Sequence, residues 1–243
     1  MNAVIETHSL SKAFGDKEVI RDCGLSVKKG EIYGFLGANG AGKTTVLKLI
    51  SGLLRPTLGW IEVAGLDVAA NREAVLAKIG SIIEVPLFYE HLSAAENLRI
   101  HLAYLGFEGR AEVADALARV GLPRSSDQKV STFSLGMRQR LGIARAIIHR
   151  PEILLLDEPI NGLDPAGIRE MRGLLKALSR DEGVTIMISS HIISEIEHVA
   201  DTIGVIADGT MMCQTPMAAL LEECPDGLED HLIDLMSGRM AHA

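Results

Sequence analysis

An α/β fold is predicted by three features of this sequence of 243 residues. A glycine-rich segment at 37–45 stands between an apolar strand pattern and a helix pattern. Two further apolar runs, 153–158 and 184–191, indicate strands buried on both faces, and each run ends in polar residues. Helical patterns separate these strands, which is the order expected of a largely parallel sheet covered by helices.

The glycine-rich segment matches the phosphate-binding loop pattern G-x-x-x-x-G-K-T. The run 31–36 before it predicts a short buried strand, and the run 45–52 after it predicts a helix that ends at glycine. In this setting backbone N–H groups and the helix N-terminus attract phosphate, the Lys43 charge serves the β- and γ-phosphates, and the Thr44 hydroxyl can ligate Mg²⁺. The predicted nucleotide contacts in this loop are Gly37, Asn39, Gly40, Ala41, Gly42, Lys43, Thr44 and Thr45.

Charge and composition argue against several classes of protein. The net charge of −8, with no basic stripe, argues against a nucleic-acid partner. The three cysteines form no C-x-x-C pair, which fits a reducing cytosol and argues against zinc or a disulfide framework. No run reaches the roughly 18 uncharged apolar residues of a membrane span, and no secretion leader is expected.

The segment before the phosphate loop predicts two short strands, 4–14 and 18–27, joined by a turn. Phe14 ends the first of them. Its ring is suited either to stacking on adenine or to packing in the core.

Glu84 ends the next apolar segment of interest. A strand at 59–65, a short helix at 69–78 and a strand at 79–84 are predicted after the phosphate-loop helix. A carboxylate where a buried strand meets a loop is either a ligand of Mg²⁺ or water, or a solvated strand end. Spacing alone leaves both open.

A polar loop at 131–136 opens a helix predicted at 137–149, after helices at 94–105 and 111–120. Ser134 and Gly136 at this helix start form either an anion site or an ordinary N-cap.

Two adjacent acids, Asp157 and Glu158, end the buried run at 153–158. Neighbouring side chains on an extended chain point apart, so different roles are expected: Asp157 in the Mg²⁺ shell opposite Thr44, and Glu158 on the attacking water. A solvated strand end is the alternative.

His191 lies where a third core strand, predicted at 184–191, reaches its carboxyl end. Ligands of open α/β sheets collect at that edge, which favours a role at the γ-phosphate over a structural histidine. The i,i+4 pair of His191 and Glu195 lacks further ligands, so a metal pair is not expected.

Five motifs in this order resemble the ATP-binding subunit of ABC (ATP-binding cassette) transporters. They are the phosphate loop at 37–45, the signature loop at 133–140, the acidic strand at 153–158, the loop at 161–164, and His191. The resemblance covers essentially the whole chain. It implies a P-loop NTPase fold with a RecA-like core, an antiparallel β subdomain and an inserted α-helical subdomain.

The resemblance also implies a division of the chain. The core and β subdomain would cover about 1–90 and 150–214, the helical subdomain about 91–149, and short C-terminal helices about 215–243.

The cofactors implied are ATP and Mg²⁺, with a role for each matching residue. Phe14 would stack on adenine, Thr44 and Asp157 would serve Mg²⁺, Glu158 the water, and His191 the γ-phosphate.

Ser134 and Gly136 would bind the γ-phosphate of a nucleotide held by a second subunit, and Asp164 joins the nucleotide-binding set. The expected assembly is a head-to-tail dimer that surrounds two ATP molecules. Both subunits are expected to be copies of this chain. Its partner would be a membrane-spanning permease, and the dimer would lie at the cytoplasmic face of the cell membrane.

This chain departs from the usual family pattern. Glu84 stands where the family usually has a Gln that ligates Mg²⁺, so Glu84 is a candidate metal ligand. Leu135-Gly136 replaces a pair of glycines, Met137 replaces Gln, and Phe14 replaces Tyr. The Glu84 and signature departures resemble the branch that exports bacitracin or lantibiotics, so export of a peptide antibiotic is expected.

Two alternatives remain at this stage. One is a soluble ABC-type ATPase in translation or DNA repair, but such proteins usually carry two cassettes or a coiled-coil insertion. The other is a P-loop kinase or GTPase, which gives no reason for the signature loop or His191.

Overall fold

Strands and helices alternate along the computed structural model, which describes residues 3–106, 110–224 and 227–237. The strands are β1 Ala3–Phe14, β2 Lys17–Lys28, β3 Ile32–Leu36, β4 Leu58–Val63, β5 Leu66–Asp67, β6 Ile79–Ile82, β7 Ile153–Asp157, β8 Thr185–Ser190, β9 Thr202–Ala207 and β10 Thr210–Pro216. The helices are α1 Lys43–Ile50, α2 Arg72–Leu76, α3 Ala94–Tyr104, α4 Arg110–Arg119, α5 Leu135–Ile147, α6 Pro165–Arg180, α7 Ile193–Glu197, α8 Met217–Glu223 and α9 Leu228–Met236.

The larger sheet has the strand order β10-β9-β3-β8-β7-β6. Every neighbouring pair is parallel except β10 with β9, which form an antiparallel hairpin. Strands β3, β7 and β8 are buried along their whole length, as their unbroken apolar patterns predict. The register pairs Leu36 with Ser190 and Asp157 with Ser189, so these three strands end together at one edge.

The smaller sheet is antiparallel, with the order β2-β1-β4-β5. Its long first hairpin alternates buried and exposed residues, so one face packs on the core. Gln214 of β10 joins the two sheets, since its side-chain oxygen accepts hydrogen bonds from Ser26 N at 3.1 Å and Tyr33 Oη at 3.0 Å.

Helices α3, α4 and α5 lie between β6 and β7 in the sequence, and they pack on one another. Leu98, Leu117 and Leu141 are buried in a hydrophobic cluster that continues into the larger sheet. The Ser93 side chain and the Glu96 side chain complete the predicted capping box at the start of α3. The predicted α/β class, with a phosphate-loop core, an antiparallel sheet and inserted helices, is confirmed.

Several predicted boundaries were wrong by a few residues. The helix predicted at 69–78 is confined to α2, because the Asp67 carboxylate and carbonyl hold residues 70–71 in a turn. The signature helix begins at Leu135, two residues earlier than predicted, and it ends at Ile147.

The strand predicted to end on Glu84 also ends early. It stops at Ile82, and Glu84 takes a positive φ of 65° beyond it. The predicted segments also contain residues 1–2, 107–109, 225–226 and 238–243, which lie outside the described residues.

Candidate nucleotide-binding site

The phosphate loop connects β3 to α1 and lines a cleft of about 230 Å³. Gly42 has φ 109°, and a Cβ there would lie 2.5 Å from Ile20 Cδ1. A Cβ at Gly37 would lie 2.6 Å from the Ile206 carbonyl oxygen, so close packing against the backbone requires Gly37, whereas the positive φ favours glycine at Gly42. The cleft is lined by Val19, Asn39, Gly40, Gly42, Lys43, Thr44, Thr45 and Glu158.

The two remaining predicted loop residues support the cleft from behind. Gly37 N donates to the Ser190 carbonyl at 3.3 Å, which ties the loop to the end of β8. Ala41 is buried, and its carbonyl accepts from Gly209 N at 3.0 Å. The loop is thus fixed to the sheet at both ends before any phosphate arrives.

Lys43 is a buried cation, only 6% exposed, at the start of α1. Its Nζ donates to the carbonyls of Gly37 at 2.7 Å and Ala38 at 3.2 Å. It also lies 3.3 Å from Glu158 Oε1. A buried ammonium needs such partners, and a phosphate oxygen in the cleft can replace them.

Thr44 and Asp157 meet across the cleft. Thr44 Oγ1 donates to Asp157 Oδ2 at 2.8 Å, and Ser189 Oγ donates to Asp157 Oδ1 at 2.5 Å. A hydroxyl beside a carboxylate is a hard oxygen donor set, which fits Mg²⁺ with its remaining positions filled by phosphate and water.

Glu158 follows β7 and points away from Asp157, as predicted. Its Oε2 lies 2.9 Å from His191 Nδ1. Glu158 has φ 49°, and its backbone N–H donates to the Ser189 hydroxyl at 3.0 Å. Glu158 and His191 therefore form a pair at the edge of the cleft, although they come from different strands.

The signature loop lies at a second, separate cleft of about 420 Å³. Ser134 is the N-cap of α5 and accepts from Met137 N at 3.3 Å, and Gly136 lies in the first turn. Asp164 caps α6 by accepting from Gly167 N at 2.7 Å. The residues lining this cleft and those lining the phosphate-loop cleft do not overlap. Ser134, Gly136 and Asp164 are thus brought together, but away from this chain's own phosphate loop.

The signature loop has Leu135 in place of a glycine, and the loop at 161–164 lies against this leucine. Its side chain packs over Gly162, where an added Cβ would lie 3.1 Å from Leu135 Cδ2. Gly162 has φ 76°, so the loop at 161–164 supplies the space that Leu135 needs.

Phe14 and Glu84 line neither of the two clefts. Phe14 is 48% exposed, with Lys12 Nζ 5.0 Å from its ring centroid. Glu84 pairs with Lys48 at 2.5 Å, and its side chain is 65% exposed.

Sequence reasoning missed Ser189 and Glu195. Ser189 contacts both acids of the site, and its signal was the polar end of β8. Glu195 is buried beside His191, and its pKa is raised, chiefly by burial. No group of three or more His, Cys, Asp or Glu side chains that could hold a metal occurs among the described residues, and the His191–Glu195 pair was not expected to be one.

The sequence profile of the family described as "ABC transporter" matches residues 20–161. The chain belongs to the ABC transporter family. The match begins next to Val19, which lines the cleft, and includes the phosphate loop, the signature loop, Asp157 of β7 and Glu158 after it. As a member of this family the chain is an ATPase that binds ATP.

Relatives extend the similarity over most of the chain. "Bacitracin transport ATP-binding protein BcrA" of Bacillus licheniformis is 46% identical over 234 residues, 96% of this chain and 76% of the relative. "Lantibiotic transport ATP-binding protein SrtF" of Streptococcus pyogenes is 42% identical over 211 residues, 87% of this chain and 90% of the relative.

A solved structure has the same fold. It is described as "Dimeric structure of a post-hydrolysis state of the ATP-binding cassette MJ0796 bound to ADP and Pi". Its TM-score is 0.77 at 25% identity, and the match covers 88% of this chain and 98% of that one. ATP-binding subunits of this family dimerise and work with membrane permeases. The alternative of a soluble ATPase in translation or DNA repair is not favoured.

Across the described ranges, every helix is too short or too polar to span a bilayer.

Proposed function

We propose that this chain is the ATP-hydrolysing subunit of an exporter for antimicrobial peptides or peptide antibiotics. It would act at the cytoplasmic face of the cell membrane, where it drives a separate permease. The observation that carries the proposal is the set of contacts that join Thr44 to Asp157, Lys43 to Glu158 and Glu158 to His191 at the phosphate-loop cleft. Support for the substrate class comes from the similarity to the bacitracin and lantibiotic transport proteins.

Lys43 and the loop backbone hold the phosphates in this proposal. The ammonium exchanges its contacts with Glu158 and the loop carbonyls for β- and γ-phosphate oxygens. Thr45 and Asn39 complete the loop lining, and Phe14 stacks on adenine beside the smaller sheet.

Thr44 and Asp157 would hold Mg²⁺ in this proposal, with Glu84 as a further ligand. When bound, the ion would neutralise phosphate charge during hydrolysis. Asp157 is kept in place by Ser189 Oγ, so the carboxylate does not need to reorganise on binding.

Glu158 is proposed to accept a proton from water as the water oxygen bonds to the γ-phosphorus. The bond to the bridging oxygen of ADP then breaks, and inorganic phosphate is released. His191 holds the γ-phosphate and, through its contact with Glu158, orients that carboxylate.

A dimer is needed to complete each site. Ser134, Gly136 and Asp164 line a cleft of their own, so we propose that they serve the nucleotide of a second copy of this chain. Two copies then bind two ATP molecules in a symmetric, self-complementary pair. The proposal includes the expected division of the chain. The core and β subdomain cover about 1–90 and 150–214, the helical subdomain about 91–149, and the C-terminal helices about 215–243.

The test is purification of the tagged chain from detergent-solubilised membranes. We expect a multi-helix permease to co-purify, and reconstituted vesicles to take up bacitracin or a lantibiotic only with ATP and Mg²⁺. Vesicles carrying Glu158→Gln are the control and should show no uptake. Recovery of the chain on ribosomes or DNA, without a membrane partner, would contradict the proposal.

A further inference from the structure

Glu195 is a buried acid whose position the hydrolysis mechanism does not yet explain. It lies on α7 and is only 5% exposed. Its Oε2 accepts a hydrogen bond from Ser190 Oγ at 2.8 Å. The same Ser190 oxygen accepts from Ile192 N at 3.0 Å. The chain Glu195–Ser190–Ile192 therefore closes around His191.

The backbone N–H of Ile192 in this turn donates to the Ser190 hydroxyl. Ile192 is the N-cap of α7 and has no side chain that could accept a hydrogen bond. Ser190 Oγ also lies 3.3 Å from the Ile192 carbonyl, but the shorter contact with Glu195 favours the carboxylate as proton acceptor. Glu195, in the first turn of α7, thus supports this turn indirectly, by holding the Ser190 hydroxyl that accepts from Ile192 N.

Charged groups on the neighbouring elements face Glu195. They are Glu158 after β7, His191 before α7 and Arg172 on α6. Burial raises the pKa of Glu195 most, and Glu158 adds to this, whereas Ser190, His191 and Arg172 lower it. Arg172 also donates to the Ser194 carbonyl at 2.5 Å, so α6 is bonded to the same turn.

We propose that Glu195 is a positioning residue for His191. By accepting from Ser190 it fixes the turn at 190–192, and the fixed turn directs His191 Nδ1 at Glu158. The inference rests on the proposed role of His191 at the γ-phosphate. It assigns Glu195 to the hydrolytic step, because the contacts of Glu195 lead through Ser190 to the turn that carries His191.

The test compares kinetic constants of the full-length chain. Glu195→Ala should lower kcat by about tenfold, as expected for the loss of one buried hydrogen bond, and change KM for ATP by less than about twofold. Glu195→Gln keeps an oxygen acceptor for Ser190 and should stay within about threefold of the parent. Glu197→Ala, on the same helix, is the control and should leave both constants unchanged.

A double-mutant cycle with His191→Ala separates positioning from a general loss of stability. If Glu195 acts through His191, adding Glu195→Ala to His191→Ala should lower kcat by less than about twofold further. An equal tenfold loss in both backgrounds would overturn the inference. So would a Glu195→Gln variant as impaired as Glu195→Ala.

The same assays distinguish the failure of each idea. If His191→Ala turns over normally, the proposed role of His191 is wrong and the inference falls with it. If His191→Ala is impaired and Glu195→Ala is not, only the inference is wrong. Should Glu195→Ala fold poorly, Ser190→Ala removes that hydrogen bond together with the one from Ile192 N, and should lower kcat by at least about tenfold. Normal turnover of Ser190→Ala would then overturn the inference.

Discussion

The Lys43 ammonium lies 3.3 Å from the Glu158 carboxylate, on the wall of the phosphate-loop cleft. The residue proposed to hold phosphate is therefore paired with the residue proposed to activate water. The phosphates of a nucleotide are negatively charged, as Glu158 is, so they compete with Glu158 for the Lys43 ammonium. Binding ATP and freeing the carboxylate for water are thus coupled through one ion pair.

The first prediction concerns Glu158→Gln. Turnover should fall by at least about 10²-fold, because the amide cannot take a proton from water. ATP affinity should be kept or raised, since Lys43 no longer has a competing carboxylate. Phosphate release and binding of a fluorescent nucleotide measure the two effects. Gel filtration with ATP and Mg²⁺ should then show an accumulated dimer, and turnover equal to the parent's would rule out this role.

The second prediction concerns Ser189→Ala. Ser189 Oγ donates to Asp157 Oδ1, so its removal loosens the carboxylate proposed to serve Mg²⁺. The Mg²⁺ concentration for half-maximal turnover should rise by on the order of tenfold. Ser179→Ala is the matched control, because Ser179 is equally buried but donates to the Gly30 carbonyl. If both variants need the same Mg²⁺, Asp157 does not depend on Ser189.

The third prediction compares two serine N-caps. Ser134 caps α5 and Ser93 caps α3, and each accepts from a backbone N–H three residues on. Alanine at either position should cost about 1 kcal/mol of stability. Only Ser134→Ala should also abolish dimerisation with ATP in a Glu158→Gln background. Light scattering checks this, and a Ser134→Ala dimer as stable as that of Ser93→Ala would contradict the proposed contact.

The fourth prediction concerns the pH dependence of stability. Burial lowers the pKa of His101 to about 4, and Arg145 and His149 add repulsion. The unfolded chain therefore binds this proton more readily, so the free energy of unfolding is highest above pH 6.5 and falls as the pH drops from there towards 4. Urea unfolding at several pH values measures the slope.

Replacement of His101 should flatten that slope. In His101→Gln the loss between pH 6.5 and 4 should shrink by on the order of 1 kcal/mol, after allowance for partial exposure. His149 also has a pKa lowered by burial, so part of the slope should remain. His198→Gln, at an exposed position of the chain, is the control. An unchanged slope in His101→Gln would show that His101 titrates normally.

The sequence predicted those parts of the site that lie in one continuous segment. The phosphate loop, the two adjacent acids at the end of β7 and the polar tip of β8 are each local patterns with a known geometry. Ser189 was missed as a site residue because its contact with Asp157 depends on the register of β7 against β8. The contact of Glu195 with Ser190 was not predicted. Glu195 lies five residues after Ser190, and the sequence does not show that the chain turns back there and buries the Glu195 carboxyl.

Element boundaries failed for a related reason. The strand pattern continued through Glu84, but the positive φ there ends the strand, and apolar periodicity does not report backbone angles. Leu135 marked a departure from the family pattern, yet only the fold places Gly162 beneath it. Contacts between segments distant in sequence decide such details.

The fifth prediction concerns Glu84. Its charge suits a Mg²⁺ ligand, whereas its exposed position suits a surface ion pair with Lys48. As a ligand, its carboxylate should bind Mg²⁺ more strongly than the usual Gln, so Glu84→Gln should alter the Mg²⁺ dependence of hydrolysis or its coupling to transport. As a partner of Lys48 in an exposed pair, it should affect stability by about 1 kcal/mol at most. Mg²⁺ titration of turnover and vesicle uptake separate these two roles.

Glu152→Gln provides the matched control for this last test. Glu152 forms a similar pair with Lys78 at 2.5 Å, and its side chain is also half-exposed, but it precedes β7 instead of following β6. Both substitutions remove one carboxylate from an exposed lysine pair, so their effects on stability should agree within about 0.5 kcal/mol. A change in Mg²⁺ dependence or uptake in Glu84→Gln alone would assign Glu84 to the site. Identical behaviour of the two variants would leave Glu84 as a solvated residue after β6.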